Sequence, residues 1–270
     1  MTASPMPDPR HHNRLAWDRR AELGETFTRP IREDELRPEN LCIDPWAATE
    51  GVAGKQLLCL AAGGGRQGPL YAAAGAIVTV VDISDRQLDL DRRIAAERGL
   101  SIRTLCASMD DLSALPAVSF DIVIHPVSTC YLPQVAPVYR QVAAVTRPDG
   151  LYVSQHKQPA SLQAEVKPSK RGYEITETAD HPGPLPAVSH SRHREPGTLE
   201  FLHTWEQLIG GLCRAGFVIE DLTEPRHGDR AAKPGEFGHR SRFLPPYVRI
   251  KARRLHTTQA AADSPMIIQP

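Results

Sequence analysis

The sequence lacks several features that would assign it to a specialised class of protein. Its 270 residues include 32 basic and 32 acidic side chains, so the net charge is zero and no broad basic surface for a nucleic-acid backbone is expected. No apolar run approaches the roughly 20 residues of a membrane span. The first twelve residues lack the apolar segment of a signal peptide. We therefore expect a cytoplasmic protein that binds neither nucleic acid nor membrane.

The sequence also gives little sign of disulfide bonds or of a metal site. The five cysteines are scattered and include no Cys-x-x-Cys pair, which predicts reduced, packed thiols instead of disulfides. Eleven histidines raise the question of a metal site. However, His181, His190 and His193 lie in a proline-rich segment with no cysteine and no predicted helix to fix ligand geometry. We therefore predict no metal site.

What the sequence does contain is an alternation of strand and helix patterns. Ser84 with Gln87 three residues later has the spacing of a capping box, and Gly99 is placed to end the same helix. Helices between consecutive strands predict a parallel sheet with right-handed crossovers. The last two predicted strands have no helix between them, which predicts an antiparallel pair. The predicted fold class is α/β: a Rossmann-like, doubly wound, seven-stranded sheet, mostly parallel with an antiparallel last strand and helices on both faces.

The predicted domain organisation follows the same pattern. Residues 1–12 and 256–270 are expected to be disordered, and residues 13–255 to form a single domain. Residues 157–197 interrupt the alternation and are predicted to be an insertion over one end of the sheet, with a candidate strand at 173–179. The predicted strands are 57–61, 77–83, 102–109, 120–127, 151–156, 217–222 and 247–253. The predicted helices are 13–25, 69–75, 85–98, 135–147 and 201–216, and 225–242 is predicted to be a polar loop.

A glycine-rich loop follows the first predicted strand. Gly63, Gly65 and Gly68 have the spacing G-x-G-x-x-G, and Asp82 ends the second strand. Glycines here let the backbone approach a ligand closely and present N–H groups at a helix N-terminus. Those groups would face the pyrophosphate of a dinucleotide or the thioether and amino-acid tail of S-adenosylmethionine. Asp82 would accept ribose hydroxyls from either cofactor, so the loop alone leaves both open.

The segments around this loop resemble the class I S-adenosylmethionine-dependent methyltransferases over residues 13–253. LLCLAAGGG resembles their first motif, VVDIS the acid-ended second strand, ASMDDL the third motif and FDIVIHPVS the fourth. RPDGLYV resembles the turn before the fifth strand, and NRLAWDRRAE resembles the leading helix of many bacterial members. The resemblance implies S-adenosylmethionine as the cofactor.

The resemblance also implies a set of cofactor-binding residues. They are Ala61, Gly63, Gly64, Gly65, Asp82, Ile83, Ser108, Met109 and His125. Asp82 would bind the ribose, and Ile83 and Met109 would pack beside the adenine. The sequence departs from the family where Cys59 and Ser108 replace acids, and where Ala61 replaces the first glycine of the loop. Asp110 or Asp111 could take the role of the acid missing at Ser108.

His125 is the candidate catalytic residue. It lies at the C-terminal end of the fourth predicted strand, on the sheet edge where ligands bind in open α/β folds. Its ring could take a proton from an acceptor O–H or N–H during methyl transfer. The alternative is that it only hydrogen-bonds the cofactor or the next turn. His156, Tyr131 and His203 are weaker candidates, and Trp17 could close over the cofactor.

We therefore predict a methyltransferase that acts on a small molecule, which would enter between the N-terminal helix and the insertion. The zero net charge and the lack of an Asn/Asp-Pro-Pro-Tyr sequence after the fourth strand argue against nucleic-acid bases as acceptors. Two alternatives stay open. One is a nicotinamide-dependent oxidoreductase, although no Tyr-x-x-x-Lys sequence is present to donate a proton. The other is a non-catalytic S-adenosylmethionine-binding protein, favoured by the departures at Cys59, Ala61 and Ser108.

Overall fold

Seven strands form one sheet in the order β3-β2-β1-β4-β5-β7-β6 in the computed structural model, which describes residues 7–189 and 191–256. The strands are β1 (Gln56–Leu60), β2 (Ile77–Asp82), β3 (Ile102–Cys106), β4 (Phe120–His125), β5 (Thr146–Lys157), β6 (Phe217–Thr223) and β7 (Tyr247–Arg254). Strands β1 to β5 are parallel, whereas β7 lies antiparallel between β5 and β6. The predicted fold class is confirmed.

Eight α-helices connect or cover these strands in the described ranges. They are α1 (Pro9–Glu22), α2 (Pro45–Glu50), α3 (Gln67–Ala73), α4 (Asp85–Arg98), α5 (Ala136–Val145), α6 (Pro159–Gln163), α7 (Gly211–Arg214) and α8 (Phe237–Arg240). A π-helical turn, Glu206–Gly210, leads into α7. Helix α4 has the predicted bounds because the Ser84 hydroxyl accepts a hydrogen bond from the Gln87 N–H, and Gly99 takes a left-handed conformation after the last turn.

The two faces of the sheet carry separate hydrophobic cores because consecutive strand residues point to opposite faces. In β1, Leu57 and Cys59 pack in the core that includes residues of α2, α3 and α4. Leu58 and Leu60 pack in the other core, with residues of α5 and α7. Helices therefore cover both faces. Cys59 is a fully buried core residue, and burial raises the pKa of its thiol well above the usual value.

Two helices begin four residues away from their predicted starts, while the starts of α3 and α5 differ from prediction by one or two residues. Helix α1 begins at Pro9, because the Asp8 carboxylate accepts a hydrogen bond from the Arg10 N–H and proline suits the first helical position. Residues 9–12, expected to be disordered, are therefore helical. The helix predicted from 201 begins after Thr204, whose backbone N–H and hydroxyl exchange hydrogen bonds with Gln207 in a capping box.

The insertion contains no strand at 173–179. Ile175 forms only an isolated antiparallel bridge with Ala164. The predicted polar loop at 225–242 in turn contains α8, whose Arg240 is fully buried. The Arg240 guanidinium donates hydrogen bonds to three backbone oxygens between residues 161 and 165. These bonds fasten the start of the insertion to α8.

Residues 1–6, His190 and residues 257–270 lie outside the described residues. They include half of the predicted disordered segment 1–12 and all but residue 256 of the segment 256–270. Within the described ranges, no helix is both long and apolar enough to cross a membrane. The same ranges contain no group of three His, Cys, Asp or Glu side chains arranged to hold a metal ion.

Candidate functional site

A cavity of about 400 Å³ opens where β1, β2 and β4 end. This volume lies in the range of about 300–1,000 Å³ that is usual for small-molecule sites. Its wall combines the glycine-rich loop, the ends of these strands, α1 and residues from the insertion and from the segment before β7. Six of the nine predicted cofactor-binding residues line it: Ala61, Gly63, Asp82, Ile83, Ser108 and Met109. Gly64, Gly65 and His125 do not belong to its lining.

The glycine-rich loop is held by two carboxylates. Asp82 Oδ2 accepts a hydrogen bond from the N–H of Gly63 at 2.9 Å. Asp91 Oδ2 accepts hydrogen bonds from the N–H groups of Gly64 at 2.9 Å and Gly65 at 3.0 Å. The φ angles of Gly64 and Gly65 are +115° and +70°, a region that favours glycine. Gly64 and Gly65 therefore turn toward α4 and away from the cavity.

Asp82 and Asp91 share a strongly desolvated environment. Burial raises the pKa of Asp82 to about 6, although N–H groups of Ser84 and Gly63 act in the opposite direction. Burial also raises the pKa of Asp91 to about 7, with a contribution from the nearby charge of Asp82. Sequence analysis missed Asp91. Its only signal was an acidic side chain on the apolar stripe of α4 formed by Leu88, Ile94 and Ala95.

The side chain of Gln87 is buried and unpartnered beside the same loop. Gln87 is 2% exposed and lines the cavity. Neither its Nε2 nor its Oε1 has a hydrogen-bond partner among the described residues. The side chain thus completes no capping box, because Asp82 Oδ1 takes the N–H of Ser84 instead. A buried amide without a partner costs free energy, so a ligand is expected to satisfy it.

His125 lies behind the cavity wall. It is 1% exposed, its Nδ1 lies 2.7 Å from the Tyr152 hydroxyl, and its Nε2 lies 2.7 Å from the Ser128 hydroxyl. Burial lowers the pKa of its ring to about 3. Ser128 lines the cavity in its place. The ring is neutral at neutral pH and both nitrogens are engaged, so this geometry gives His125 no direct contact with a ligand.

Of the four weaker candidates, two line the cavity and two do not. Trp17 and Tyr131 line the cavity, and their rings meet edge to face with centroids 5.5 Å apart. His156 and His203 are buried outside its lining. His156 Nδ1 contacts the Thr129 hydroxyl at 2.9 Å, and the ring of His203 contacts the Thr129 backbone oxygen at 3.0 Å. These two histidines support the turn that follows β4.

A buried ionic cluster reaches the cavity from the insertion. Glu195 lines the cavity and is 7% exposed. Its Oε2 accepts hydrogen bonds from Lys157 Nζ at 2.5 Å and from the Tyr131 hydroxyl at 2.9 Å. Lys157 also donates to Glu200 at 3.0 Å, and Glu200 accepts a further bond from Arg194 at 2.9 Å. Sequence analysis missed this cluster because its members come from separate segments.

The pKa values of the two glutamates in this cluster shift in opposite directions. Burial acts to raise the pKa of Glu195, but Lys157 and the hydrogen bonds on the carboxylate outweigh it and lower that pKa. Burial raises the pKa of Glu200, and the nearby Glu195 adds to the rise. Burial opposes the charged form of Lys157, yet the two carboxylates raise its pKa. Glu195 is therefore an ionised carboxylate on the cavity wall.

Comparison with known proteins identifies the family. Residues 58–154 match the family model described as a methyltransferase domain. The chain is 32% identical to the uncharacterised methyltransferase YbaJ of Bacillus subtilis over 231 residues, which cover 80% of this chain and 91% of that protein. It is also 32% identical to a ubiquinone biosynthesis O-methyltransferase of Aromatoleum aromaticum over 134 residues, about half of each chain.

A solved structure agrees with these sequence matches. The S-adenosylmethionine-dependent methyltransferase of Mesorhizobium loti superposes with a TM-score of 0.60 at 24% identity, covering 77% of this chain and 97% of the other. At this identity the superposition supports the fold, and the long match to YbaJ supports the family. This protein is an enzyme of the class I S-adenosylmethionine-dependent methyltransferase family.

Proposed function

We propose that this enzyme binds S-adenosylmethionine in the cavity at the ends of β1, β2 and β4, and methylates a small molecule held in the same cavity. When bound, the cofactor supplies an electrophilic methyl group on sulfur. The residues of the chain bind and align the two reactants, which is the main requirement of methyl transfer.

The residues present fit this cofactor. Each carboxylate oxygen of Asp82 accepts one backbone N–H and keeps a lone pair for a ribose hydroxyl. Ile83 and Met109 offer apolar contact for the adenine. Ser108 donates to Asp110 at 2.5 Å, so an acid lies next to the position where the family usually has one. Gln87 adds an unpartnered amide beside the loop.

One observation carries the choice of S-adenosylmethionine over a dinucleotide. All three N–H groups of Gly63, Gly64 and Gly65 already donate to the carboxylates of Asp82 and Asp91. A pyrophosphate in the cavity would find none of them available and would meet the Asp82 carboxylate instead, which is unfavourable in a desolvated site. The cofactor of the methyltransferases presents no phosphate to this loop.

The elements around the cavity favour a small acceptor. The Asn13 side chain of α1 exchanges hydrogen bonds with the backbone of Leu199 and donates another to the backbone of Tyr131. These bonds fasten α1 over the cavity against the segment that follows the insertion and the turn after β4. Together with the zero net charge of the chain, this enclosure supports a small molecule instead of a nucleic acid.

Calorimetric titration of the purified protein with S-adenosylmethionine, S-adenosylhomocysteine and NADH tests the proposal. We expect binding of the first two and none of NADH, and weaker binding of both by Asp82→Ala. Binding of NADH alone, or equal binding of S-adenosylhomocysteine by the Asp82→Ala variant, would overturn it. Methyl transfer from labelled S-adenosylmethionine to candidate small molecules then measures the activity.

A further inference from the structure

The ionic cluster beside the cavity places one ionised carboxylate where an acceptor can reach it. Glu195 and Tyr131 belong to other elements than the residues assigned to the cofactor. Glu195 Oε2 accepts the hydrogen bonds of Lys157 and Tyr131. Oε1 accepts none from a lysine, arginine or hydroxyl donor among the described residues, and the carboxyl group of Glu200 also contacts that of Glu195. A carboxylate with a free oxygen accepts a hydrogen bond from a ligand O–H or N–H.

The charges of the cluster are balanced without a ligand. Lys157 and Arg194 are the two cations, and Glu195 and Glu200 are the two carboxylates, all joined by the contacts described above. An anionic acceptor group beside the buried Glu195 would add a negative charge that the two cations of the cluster do not compensate. Of the arginines that line the cavity, Arg10 is paired with Asp110, Arg66 is paired with Glu35, and Arg29 is exposed. A neutral group that donates a hydrogen bond leaves the balance intact.

The rest of this wall is largely apolar. The ring of Trp17 and the side chains of Val127 and Leu132 line the cavity together with the ring of Tyr131. Such a surface binds an apolar molecular body, while a few polar groups fix its orientation. Glu195 and the Tyr131 hydroxyl are two such polar groups.

We propose that Glu195 binds the nucleophilic group of the acceptor, and that the acceptor is an apolar molecule carrying a neutral hydroxyl or amine, not a carboxylate or phosphate. This inference rests on the proposed function of the cavity. It assigns Glu195 as a specificity-determining and catalytic residue that contacts the methylated atom through its proton.

With Glu195 in this role, every bond, electron pair and proton of the methyl transfer is accounted for. As the lone pair of the acceptor oxygen or nitrogen bonds to the methyl carbon, the carbon–sulfur bond breaks and its electron pair stays on sulfur. The acceptor atom gains positive charge, which the Glu195 carboxylate stabilises. Glu195 then takes the proton that the acceptor atom loses, and that proton leaves to solvent. No oxidant or further reactant is needed.

The test uses three probes with one apolar body: 1-naphthol, 1-naphthylamine and 1-naphthoate. Binding of each is measured by calorimetry to the complex of the full-length protein with S-adenosylhomocysteine. We expect the naphthol or the naphthylamine to bind at least about tenfold more tightly than the naphthoate, as loss of a hydrogen bond to a charged group implies. In Glu195→Gln this preference should fall below about twofold, because the repelling charge is removed.

Glu174→Gln is the matched control, because Glu174 is an exposed carboxylate of the same insertion. It should keep the preference of the natural protein. Tyr131→Phe, which removes the hydroxyl that holds Glu195, is the second variant if Glu195→Gln does not fold, and it should weaken the preference. Tighter binding of the naphthoate, binding of none of the probes, or an unchanged preference in both variants would overturn the inference. If the natural protein does not bind S-adenosylhomocysteine, the proposed function itself is overturned.

Discussion

The carboxylate of Asp91 accepts a hydrogen bond from the backbone N–H of Gly65 at 3.0 Å, and the same oxygen accepts the N–H of Gly64. This bond joins the interior of α4 to the loop that follows β1. Cys59, where the family usually has an acid, contributes a buried thiol to the core on the same face as α4. Asp91 thus provides from a helix the carboxylate that holds the loop.

We predict that Asp91 makes the stability of the ligand-free protein depend on pH. Its pKa is raised from 3.8 to about 7 by burial, so between these values the folded state binds more protons than the unfolded chain. Its contribution to stability is therefore lost as pH rises from about 4 to about 7, by roughly 4 kcal/mol. In urea unfolding, the stability of Asp91→Asn relative to the natural protein should rise over this interval. A difference that stays constant with pH would contradict the prediction, and Asp89→Asn on the exposed side of α4 should show a much smaller change.

Replacing Gln87 by Leu should separate stability from cofactor affinity. The change removes a buried amide with no partner, so the free energy of unfolding of the ligand-free protein should stay equal or rise by about 1 kcal/mol. Affinity for S-adenosylhomocysteine should fall, by about tenfold if the cofactor supplies the missing hydrogen bonds. Calorimetry and urea unfolding measure the two effects. Unchanged affinity would show that the cofactor does not satisfy this amide.

A pair of substitutions tests the cost of the left-handed backbone conformation at Ala61 in the loop and at Gly99 after α4. Ala61 has a φ of +48°, a left-handed conformation that costs a residue with a side chain about 1–2 kcal/mol. Ala61→Gly should therefore raise the free energy of unfolding by about 1 kcal/mol. Gly99 has a φ of +64° with open space around it, and Gly99→Ala should lower stability by a similar amount. Chemical denaturation of both variants checks the opposite signs, and destabilisation by Ala61→Gly would contradict this account.

The substitution His125→Asn should lower the free energy of unfolding while leaving the rate of methyl transfer largely unchanged. The buried hydroxyls of Tyr152 and Ser128 lose their partner, which should lower the free energy of unfolding by about 1–3 kcal/mol. Because the pKa of the ring is about 3, the pH profile of methyl transfer should contain no step from this residue near neutral pH. A fall in the transfer rate of about 100-fold or more with unchanged stability would restore the role of general base.

The sequence predicted the parts of this protein that depend on local chemistry. The alternation of strands and helices, the start of α4 at Ser84 and the glycine-rich loop all follow from residue periodicity, caps and backbone freedom. They specify the fold class because these signals repeat over nearly the whole chain. The start of α1 at Pro9 differed from the prediction because its cap, Asp8, lies in a stretch whose composition resembles a disordered tail.

Only the tertiary structure decided how the site is built. Asp91 meets the loop, and Glu195 meets Lys157 and Tyr131, because packing joins segments that are far apart in the chain. Strand β4 ends at His125, two residues before the predicted end at 127. The ring of His125 turns into the interior, where Tyr152 and Ser128 satisfy both nitrogens. Residue types and spacing determined which groups stand at the edge of the sheet. Which of them face the cavity depended on side-chain direction and on buried polar groups finding partners, and both are properties of the packed molecule.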